Sequence, residues 1–287
     1  MELIALKITP LSRFVTIPKG DTIFGQILSY LYLKNDNIFD GYLQEKPKLI
    51  VSDMMPLGFV YRPSLPLDCF DTEDKKSLRK KEFISIENLQ DGNLTLESCK
   101  KIDYKTTEVV IKNSINRTTF ATDGDDFAPY GGSEINFTKE LWMFVSVESS
   151  IKNKILQVIN DIGKFGFGKE ANIGKGIFKA EEIDNPIKET SSNYYMSISP
   201  TILQGYKEAY YDTFVRFGKF GLAQAHTNAF KKPVIMAQSS AVIISDKDIQ
   251  YFGNSINNGY KEKISFLQGY SIAIPFKVKD DKCLRLD

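Results

Sequence analysis

A glycine-rich segment is the feature that most constrains how this chain can fold. Five glycines fall within the fourteen residues from Gly163 to Gly176. The residues before this segment predict an amphipathic helix, because their apolar side chains recur at helical spacing: Ile151, Ile155, Val158, Ile159 and Ile162. Gly163 occupies the position at which a glycine commonly ends a helix. Ile177 to Ala180 predicts a short strand, so the segment connects a helix to a strand.

This direction of connection decides which ligands the segment can serve. Gly166 to Ala171 matches the loose dinucleotide pattern G-x-G-x-x-A, but that pattern must follow a strand and open a helix. A P-loop is excluded by spacing, since five residues separate Gly168 from Gly174 and Gly176 follows the lysine.

A loop with a bare backbone can instead approach a phosphate closely. We expect its amides to be free to bind anions, with Lys169 and Lys175 neutralising phosphate. Phe165 and Phe167 could stack on unpaired bases, as aromatic residues do in proteins that bind single-stranded RNA. The segment therefore predicts contact with an RNA backbone.

The remaining patterns predict an α+β fold with two domains, residues 1–183 and 184–287. Glu2 to Thr9 predicts a strand, and a helix with Asp21 or Thr22 as N-cap follows it. Strands predicted at 107–111 and 141–147 flank a polar protrusion over 113–132, which implies a long hairpin. With the helix and strand around the glycines, the order is β-α-β-β-α-β, the ferredoxin-like arrangement. Strands predominate after residue 193, and a second, degraded copy of the same fold would fit them.

Charge and composition argue against several classes of function. The formal net charge is only +1, so bulk electrostatics alone would not coat nucleic acid. The chain contains one histidine, His226, and neither a GxSxG nor an HExxH motif, so we predict no catalytic site, no metal and no cofactor. No apolar run approaches the ~20 residues that span a bilayer, and the first residues show no signal-peptide pattern. We expect a cytoplasmic protein without a membrane partner.

Four segments, in order, resemble one known family. The helix-to-strand loop Gly-Phe-Gly-x-x-Ala-x-x-Gly-x-Gly resembles the glycine-rich loop of the RAMP superfamily of CRISPR proteins. The further matches are Lys19 to Gly25, then Ser52 to Pro66 with the lysine and arginine run after it, and Asn113 to Thr119. Together they resemble the subunit that binds the 5′ handle of crRNA in type III-A (Csm) effector complexes.

This resemblance implies two ferredoxin-like (RRM-like) domains, a protruding β-hairpin thumb and no nuclease activity. It implies three partners, namely the crRNA 5′ handle, the large polymerase-like subunit and a backbone subunit. A guide-processing endoribonuclease of the same superfamily, with His226 as its base, is the alternative. The residues that we predict to contact RNA are Lys19, Gly20, Asn116, Arg117, Thr118, Gly166, Phe167, Gly168, Lys169, Asn172, Gly174, Lys175 and Gly176.

Overall fold

The structure is a computed structural model that describes residues 1–34, 36, 38–39, 41–43, 46–122, 128–220, 230–260 and 265–279. Its α-helices are α1 (Gly20–Leu33), α2 (Lys75–Arg79), α3 (Ile86–Gln90) and α4 (Lys152–Phe165). The strands up to residue 183 are β1 (Glu2–Pro10), β2 (Leu49–Val51), β3 (Met55–Pro56), β4 (Phe59–Tyr61), β5 (Phe83–Ser85), β6 (Cys99–Lys100), β7 (Lys105–Lys112), β8 (Tyr130–Phe137), β9 (Leu141–Val147) and β10 (Phe178–Ile183). Those after it are β11 (Tyr194–Ser197), β12 (Ala209–Tyr210), β13 (Thr213–Arg216), β14 (Val234–Ala237), β15 (Val242–Ile244), β16 (Tyr251–Gly253), β17 (Ile256–Asn257), β18 (Phe266–Leu267) and β19 (Tyr270–Phe276).

The first half of the chain is organised around an antiparallel sheet with the strand order β10-β1-β9-β2. Along the chain its elements run β1, α1, β2, β9, α4, β10, which matches the predicted β-α-β-β-α-β order; the second strand is β2, however, and the predicted strand at 107–111 lies in β7, outside this sheet. The central strand β9 is buried over its whole length because both faces of the sheet are covered. The mixture of helices with antiparallel sheets confirms an α+β fold.

Helices α1 and α4 cover one face of this sheet. Alternate side chains of β1, including Ile4, Leu6 and Ile8, pack against apolar residues of both helices in one cluster. α4 does not end at Gly163, as the sequence suggested, but continues to Phe165, and Gly166 follows it with φ +101°. Gly163 is instead a packing position, since a Cβ there would lie 2.5 Å from the carbonyl oxygen of Phe178 in β10.

The second half forms a sheet with the order β12-β15-β11-β19-β16. Between residues 184 and 279 the described residues include strands and no α-helix, so a second ferredoxin-like domain is not confirmed. This sheet packs on the other face of the first one, and their facing side chains form one apolar cluster that contains Phe144 and Met196. The division into domains at residues 183 and 184 stays a prediction.

The edge strand β2 is completed by a side chain from the second half. Buried Gln268 accepts a hydrogen bond from the Val51 amide (2.9 Å) and donates one to the Val51 carbonyl oxygen (2.8 Å). These two bonds satisfy both polar backbone groups of Val51, as a neighbouring strand would.

The first sheet has a fifth strand, β3, which pairs with β9, and residues 57–140 are inserted between these two strands. β4, β5 and β6 form a small sheet within this insertion, and β7 and β8 form a two-stranded hairpin. The sequence placed the returning strand of the hairpin at 141–147, but β8 is the strand that pairs with β7, and β9 belongs to the central sheet. Among the described helices none is long and apolar enough to cross a bilayer.

Candidate nucleic-acid interface

The glycine-rich loop is held by the protein rather than open to anions. Its amides at Gly166, Phe167 and Gly176 donate to carbonyl oxygens of Ile162, Gly176 and Arg13 at 2.8 to 2.9 Å. The expectation of free amides is therefore wrong for these positions. The loop presents a fixed shape, so its exposed side chains carry what it can offer to a ligand.

Two side chains from the start of the chain fix the first turn of the loop. Gln26 in α1 donates to the Gly166 carbonyl oxygen (3.0 Å) and accepts from the Gly168 amide (2.9 Å). The Thr16 hydroxyl accepts from the Lys169 amide at 2.9 Å. Gly168 has φ +79°, and a Cβ there would lie 2.5 Å from the Thr16 side chain. Glycine is needed because no other residue allows this approach.

The two phenylalanines of the loop have opposite surroundings. Phe167 is 1% exposed and packs in the apolar cluster beneath the helices, with its ring centroid 6.4 Å from that of Phe14. It cannot stack on a base in this conformation, so its predicted contact with RNA is corrected to a core position. Phe165 is 68% exposed at the end of α4, where its ring is available to a ligand.

The two lysines of the loop also differ. The side chain of Lys169 is 72% exposed, and the carboxylate of Glu170 lies 4.0 Å from its ammonium group. The ammonium group of Lys175 lies 2.7 Å from the carboxylate of Glu134 in β8, which is almost completely buried. Asn172 and Gly174 are exposed beside Lys169. Lys169 is thus the loop cation best placed to meet a phosphate.

Glu134 ties the loop to the hairpin through an ionic network. Lys112 in β7 pairs with Glu134 at 3.0 Å and also with Glu170 of the loop, and Arg13 lies 3.7 Å from Glu134. Hydrogen bonds from Lys175 and Lys112 lower the pKa of Glu134, and the hydrogen bond to Glu170 raises the pKa of Lys112. The charges stabilise one another, so the loop and the base of the hairpin are joined.

The far end of the hairpin is exposed. Asn116 accepts a hydrogen bond from the Thr118 amide through its side-chain oxygen (2.9 Å), and Arg117 between them is exposed. Val109, Ile111 and Phe120 are 70%, 69% and 84% exposed. An apolar surface of this kind on a two-stranded hairpin is typical of an interaction site. Residues 123–127 of the predicted thumb lie outside the described residues.

Lys19 and Gly20 lie at the start of α1, where Lys19 is the N-cap residue. The Lys19 ammonium group donates to the carboxylate of Asp53 (2.7 Å) and to the Tyr61 hydroxyl (3.1 Å). Asp53 is fully buried and also accepts from the Gly20 amide (2.7 Å) and the Ser239 hydroxyl (2.6 Å). Gly20 is buried, since a Cβ there would lie 2.2 Å from the Val51 carbonyl oxygen. Its predicted contact with RNA is corrected to a packing role.

Solved structures are similar to this chain over nearly its whole length. A chain of the Csm3-Csm4 subcomplex in the type III-A CRISPR-Cas interference complex has a TM-score of 0.63 and 15% identity, over 96% of this chain and 99% of that chain. A chain of the Csm1-Csm4 cassette in complex with cA4 has a TM-score of 0.61 and 15% identity, over 97% and 99%. Csm4 is the component common to both assemblies. This chain has the Csm4 fold. No protein-family model and no curated protein matches the sequence.

An ion pair connects the two halves of this Csm4-like chain. No pattern in the sequence predicted it. Asp21 lies in the first turn of α1 but does not act as N-cap, since α1 begins at Gly20 after Lys19. Its buried carboxylate pairs with the guanidinium group of Arg216 in β13 at 2.6 and 2.9 Å. Burial raises the pKa of Asp21 to about 6, and the charge of Arg216 opposes that rise. The two residues are distant in the chain, so no local pattern links them.

The candidate base of the alternative function, His226, lies outside the described residues, as do Asp123, Asp125 and Asp126. Among the residues that the structure describes, no group of three histidine, cysteine or acidic side chains could hold a metal ion.

Proposed function

We propose that this chain binds the 5′ handle of a crRNA as a non-catalytic subunit of a type III-A CRISPR (Csm) interference complex. The observation that carries the proposal is the Csm4 fold over nearly the whole chain, with the glycine-rich loop and the protruding hairpin on it. At 14–15% identity the similarity establishes the fold, and the chemistry of the exposed residues supports the function.

The exposed residues of the loop and the hairpin are those that fit RNA. Lys169 supplies a cation and Asn172 an amide at the loop, and Asn116, Arg117 and Thr118 supply polar groups at the hairpin. Lysine and arginine contacts to phosphates provide affinity without reading the sequence. Gly166, Gly168 and Gly176 set the shape of the loop. Lys19 and Lys175 pair with carboxylates, so they fix the structure around the interface.

The proposal includes two protein partners. The similar solved chains come from assemblies with Csm1 in one case and with Csm3 in the other. We therefore assign to this chain the role of joining the large polymerase-like subunit to the backbone filament. The exposed apolar side chains of the hairpin, Val109 and Ile111, suit burial in such an assembly.

An equilibrium binding and cleavage assay tests the function. The purified chain, alone and with the large subunit, is mixed with RNA that carries or lacks the repeat-derived 5′ handle. We expect handle-dependent binding of RNA that stays intact. Cutting of the RNA that disappears in a His226→Ala variant would instead establish the processing endoribonuclease.

The role of Lys169 is tested in the same assay. Lys169→Ala should weaken binding of handle RNA and reduce the slope of log K against log salt by about 0.7, the value for one lost contact to a single strand. Lys247→Ala is the matched control, because Lys247 is also an exposed lysine next to an acidic residue, Asp248. Asp248 lines a surface cleft together with the first residues of β1. Equal effects of the two variants would contradict the assignment of the loop.

A further inference from the structure

The antiparallel strands β13 (Thr213–Arg216) and β14 (Val234–Ala237) form a ribbon that presents an apolar face to water. Val215 and Ile235 lie opposite each other across this β13–β14 ribbon and are 48% and 69% exposed. Phe217 follows Val215 by two residues, a spacing that keeps side chains of an extended chain on one side, and it is 74% exposed. Exposed apolar side chains that adjoin one another are typical of a surface that another molecule covers.

The inner face of the β13–β14 ribbon is anchored to the rest of the protein. Met236 is buried and packs with Phe214 and Val234 in an apolar cluster of the second half. The guanidinium group of Arg216 lies 2.6 Å from the buried carboxylate of Asp21 in α1. These contacts hold the ribbon from behind, so its outer face is fixed before a partner arrives and little order has to be gained on binding.

The side chains of the outer face favour a protein over RNA as the partner. Val215 and Ile235 have no flat ring on which a base could stack, whereas proteins that bind single strands use aromatic rings and cations. Lys219 and Lys232 are exposed further along the two strands. An apolar centre with cations at its edge is complementary to a protein surface whose apolar patch is bordered by carboxylates.

The proposed function includes two protein partners, and the described part of the chain has two ribbons that expose aliphatic side chains. The hairpin of β7 and β8 exposes Val109 and Ile111, and its far end carries Asn116 and Arg117, which are predicted to contact the guide RNA. A subunit on that hairpin lies beside the guide, which suits a backbone filament that follows the RNA. The β13–β14 ribbon is then left for the large subunit.

We propose that the outer face of the β13–β14 ribbon is the docking surface for the large polymerase-like subunit. The partner surface covers Val215, Phe217 and Ile235 with apolar side chains, and its carboxylates face Lys219 and Lys232 at the edge of the interface. The inference rests on the proposed function and adds to it the surface that one of the two protein partners occupies.

Two matched double variants test this assignment. Val215→Thr with Ile235→Thr removes the aliphatic pair of the β13–β14 ribbon, and Val109→Thr with Ile111→Thr removes that of the hairpin. Threonine keeps the branched shape that strands favour, and all four positions are exposed, so both variants should fold as the wild-type chain does. Thermal unfolding checks this. Each full-length protein is titrated with the purified large subunit, with the purified backbone subunit and with handle RNA.

Each variant is expected to lose one protein partner. The β13–β14 variant should bind the large subunit about tenfold more weakly, the effect of losing side chains at the centre of an interface. Its affinities for the backbone subunit and for handle RNA should equal those of the wild-type chain. The hairpin variant should show the reverse pattern for the two proteins.

Three results would overturn the proposal. If the β13–β14 variant binds the large subunit as tightly as the wild-type chain, or loses the backbone subunit to the same extent, the ribbon is not a specific docking surface; the proposed function stands as long as the wild-type chain binds handle RNA. If the variant loses handle RNA and keeps the large subunit, the outer face is an RNA surface. If the wild-type chain binds neither the large subunit nor handle RNA, the docking surface and the proposed function both fail.

Discussion

The carboxylate of Asp21 is buried in the interior, and the guanidinium group of Arg216 compensates its charge there. One hydrogen bond of 2.9 Å and a second close contact of 2.6 Å join the guanidinium group to the carboxylate across the two halves of the chain. Breaking a buried pair by removing one partner is strongly destabilising, because the other charge is left without compensation. The pair therefore gives a direct measure of how much the contact between the halves contributes.

Replacing Arg216 by methionine should destabilise the protein in a pH-dependent way. Aspartate in an unfolded chain has a pKa of about 3.9, whereas Asp21 in the folded chain has a pKa of about 6. Without Arg216 the pKa of Asp21 in the folded chain rises further. Between the pKa of the unfolded chain and that of the folded variant, the folded state keeps a proton that the unfolded state releases. Stability then falls as pH rises. We expect the loss to be larger at pH 8 than near pH 4 by up to about 2.7 kcal/mol, because each pH unit between 6 and 8 contributes about 1.4 kcal/mol.

Urea unfolding at both pH values measures this difference. The control is the double variant Asp21→Asn with Arg216→Met, which has no carboxylate at this position, so its loss of stability relative to the wild-type chain should be no larger at pH 8 than at pH 4. The same loss for Arg216→Met at the two pH values would show that the side chain contributes through packing alone.

The glycine-rich loop acts as one element, and its glycines serve different purposes. Gly174 and Gly176 both have positive φ, +85° and +74°. A Cβ at Gly174 would meet nothing within 4 Å, whereas one at Gly176 would lie 2.3 Å from the Phe167 carbonyl oxygen. The two positions share a backbone constraint and differ in the space around them.

Alanine at these two positions should separate the two effects. Gly174→Ala should cost about 1 to 2 kcal/mol, the usual penalty for a left-handed residue with a Cβ. Gly176→Ala should cost a further 1 to 3 kcal/mol, because the methyl group overpacks the turn that carries Phe167. Free energies of unfolding in urea provide the comparison. Equal losses would mean that the loop moves aside at Gly176 without cost.

The order of elements around this loop could be predicted from sequence, and its contacts could not. Helical spacing in 151–162 and the glycines that follow are local signals, and they gave the helix, the loop and the strand in the right order. The end of α4 was misplaced because Gly163 serves its packing against β10 rather than a cap. The partner of Lys175 is Glu134, on a strand that the sequence reading did not recognise.

The candidate site, like the loop, could be predicted only in part from the sequence. Lys169 was predicted from the composition of the loop, and Asn116 and Arg117 from the family resemblance; Lys169 and Arg117 lie at the surface, and Asn116 is half-buried. Phe167 and Gly20 carry similar local signals, yet both are buried, because the rest of the fold closes over them. Local residue type predicts what a side chain can bind, and tertiary packing decides whether a ligand can reach it.

At the scale of the whole molecule, the two large sheets share one apolar cluster. Phe144 and Ile50 from the first sheet and Met196, Val242 and Ile274 from the second belong to it. Gln268 and Arg216 add polar contacts between the halves. Neither sheet can keep its inner face from water without the other.

The intact chain should therefore unfold in a single transition. Fluorescence of Trp142, which lies in the first sheet, and far-UV circular dichroism should give the same midpoint in urea. Residues 1–183 produced alone should bind a hydrophobic dye and aggregate, because the face that contains Phe144 would be exposed. Two separate transitions in the intact chain would show that the halves are independent domains.

The pairing of β1 has a consequence for the synthesis of the protein. This strand is translated well before either of its sheet partners, since Ala5 pairs with Phe144 on one side and with Ile183 on the other. At about 5 to 20 residues per second, the nascent chain carries a strand with two open edges for roughly 7 to 28 seconds, until β9 is made. Open edges and exposed apolar residues such as Ile4 and Leu6 invite pairing with other chains. Cotranslational protection by chaperones should thus matter more for the yield of this protein than for that of one whose first strands form a hairpin.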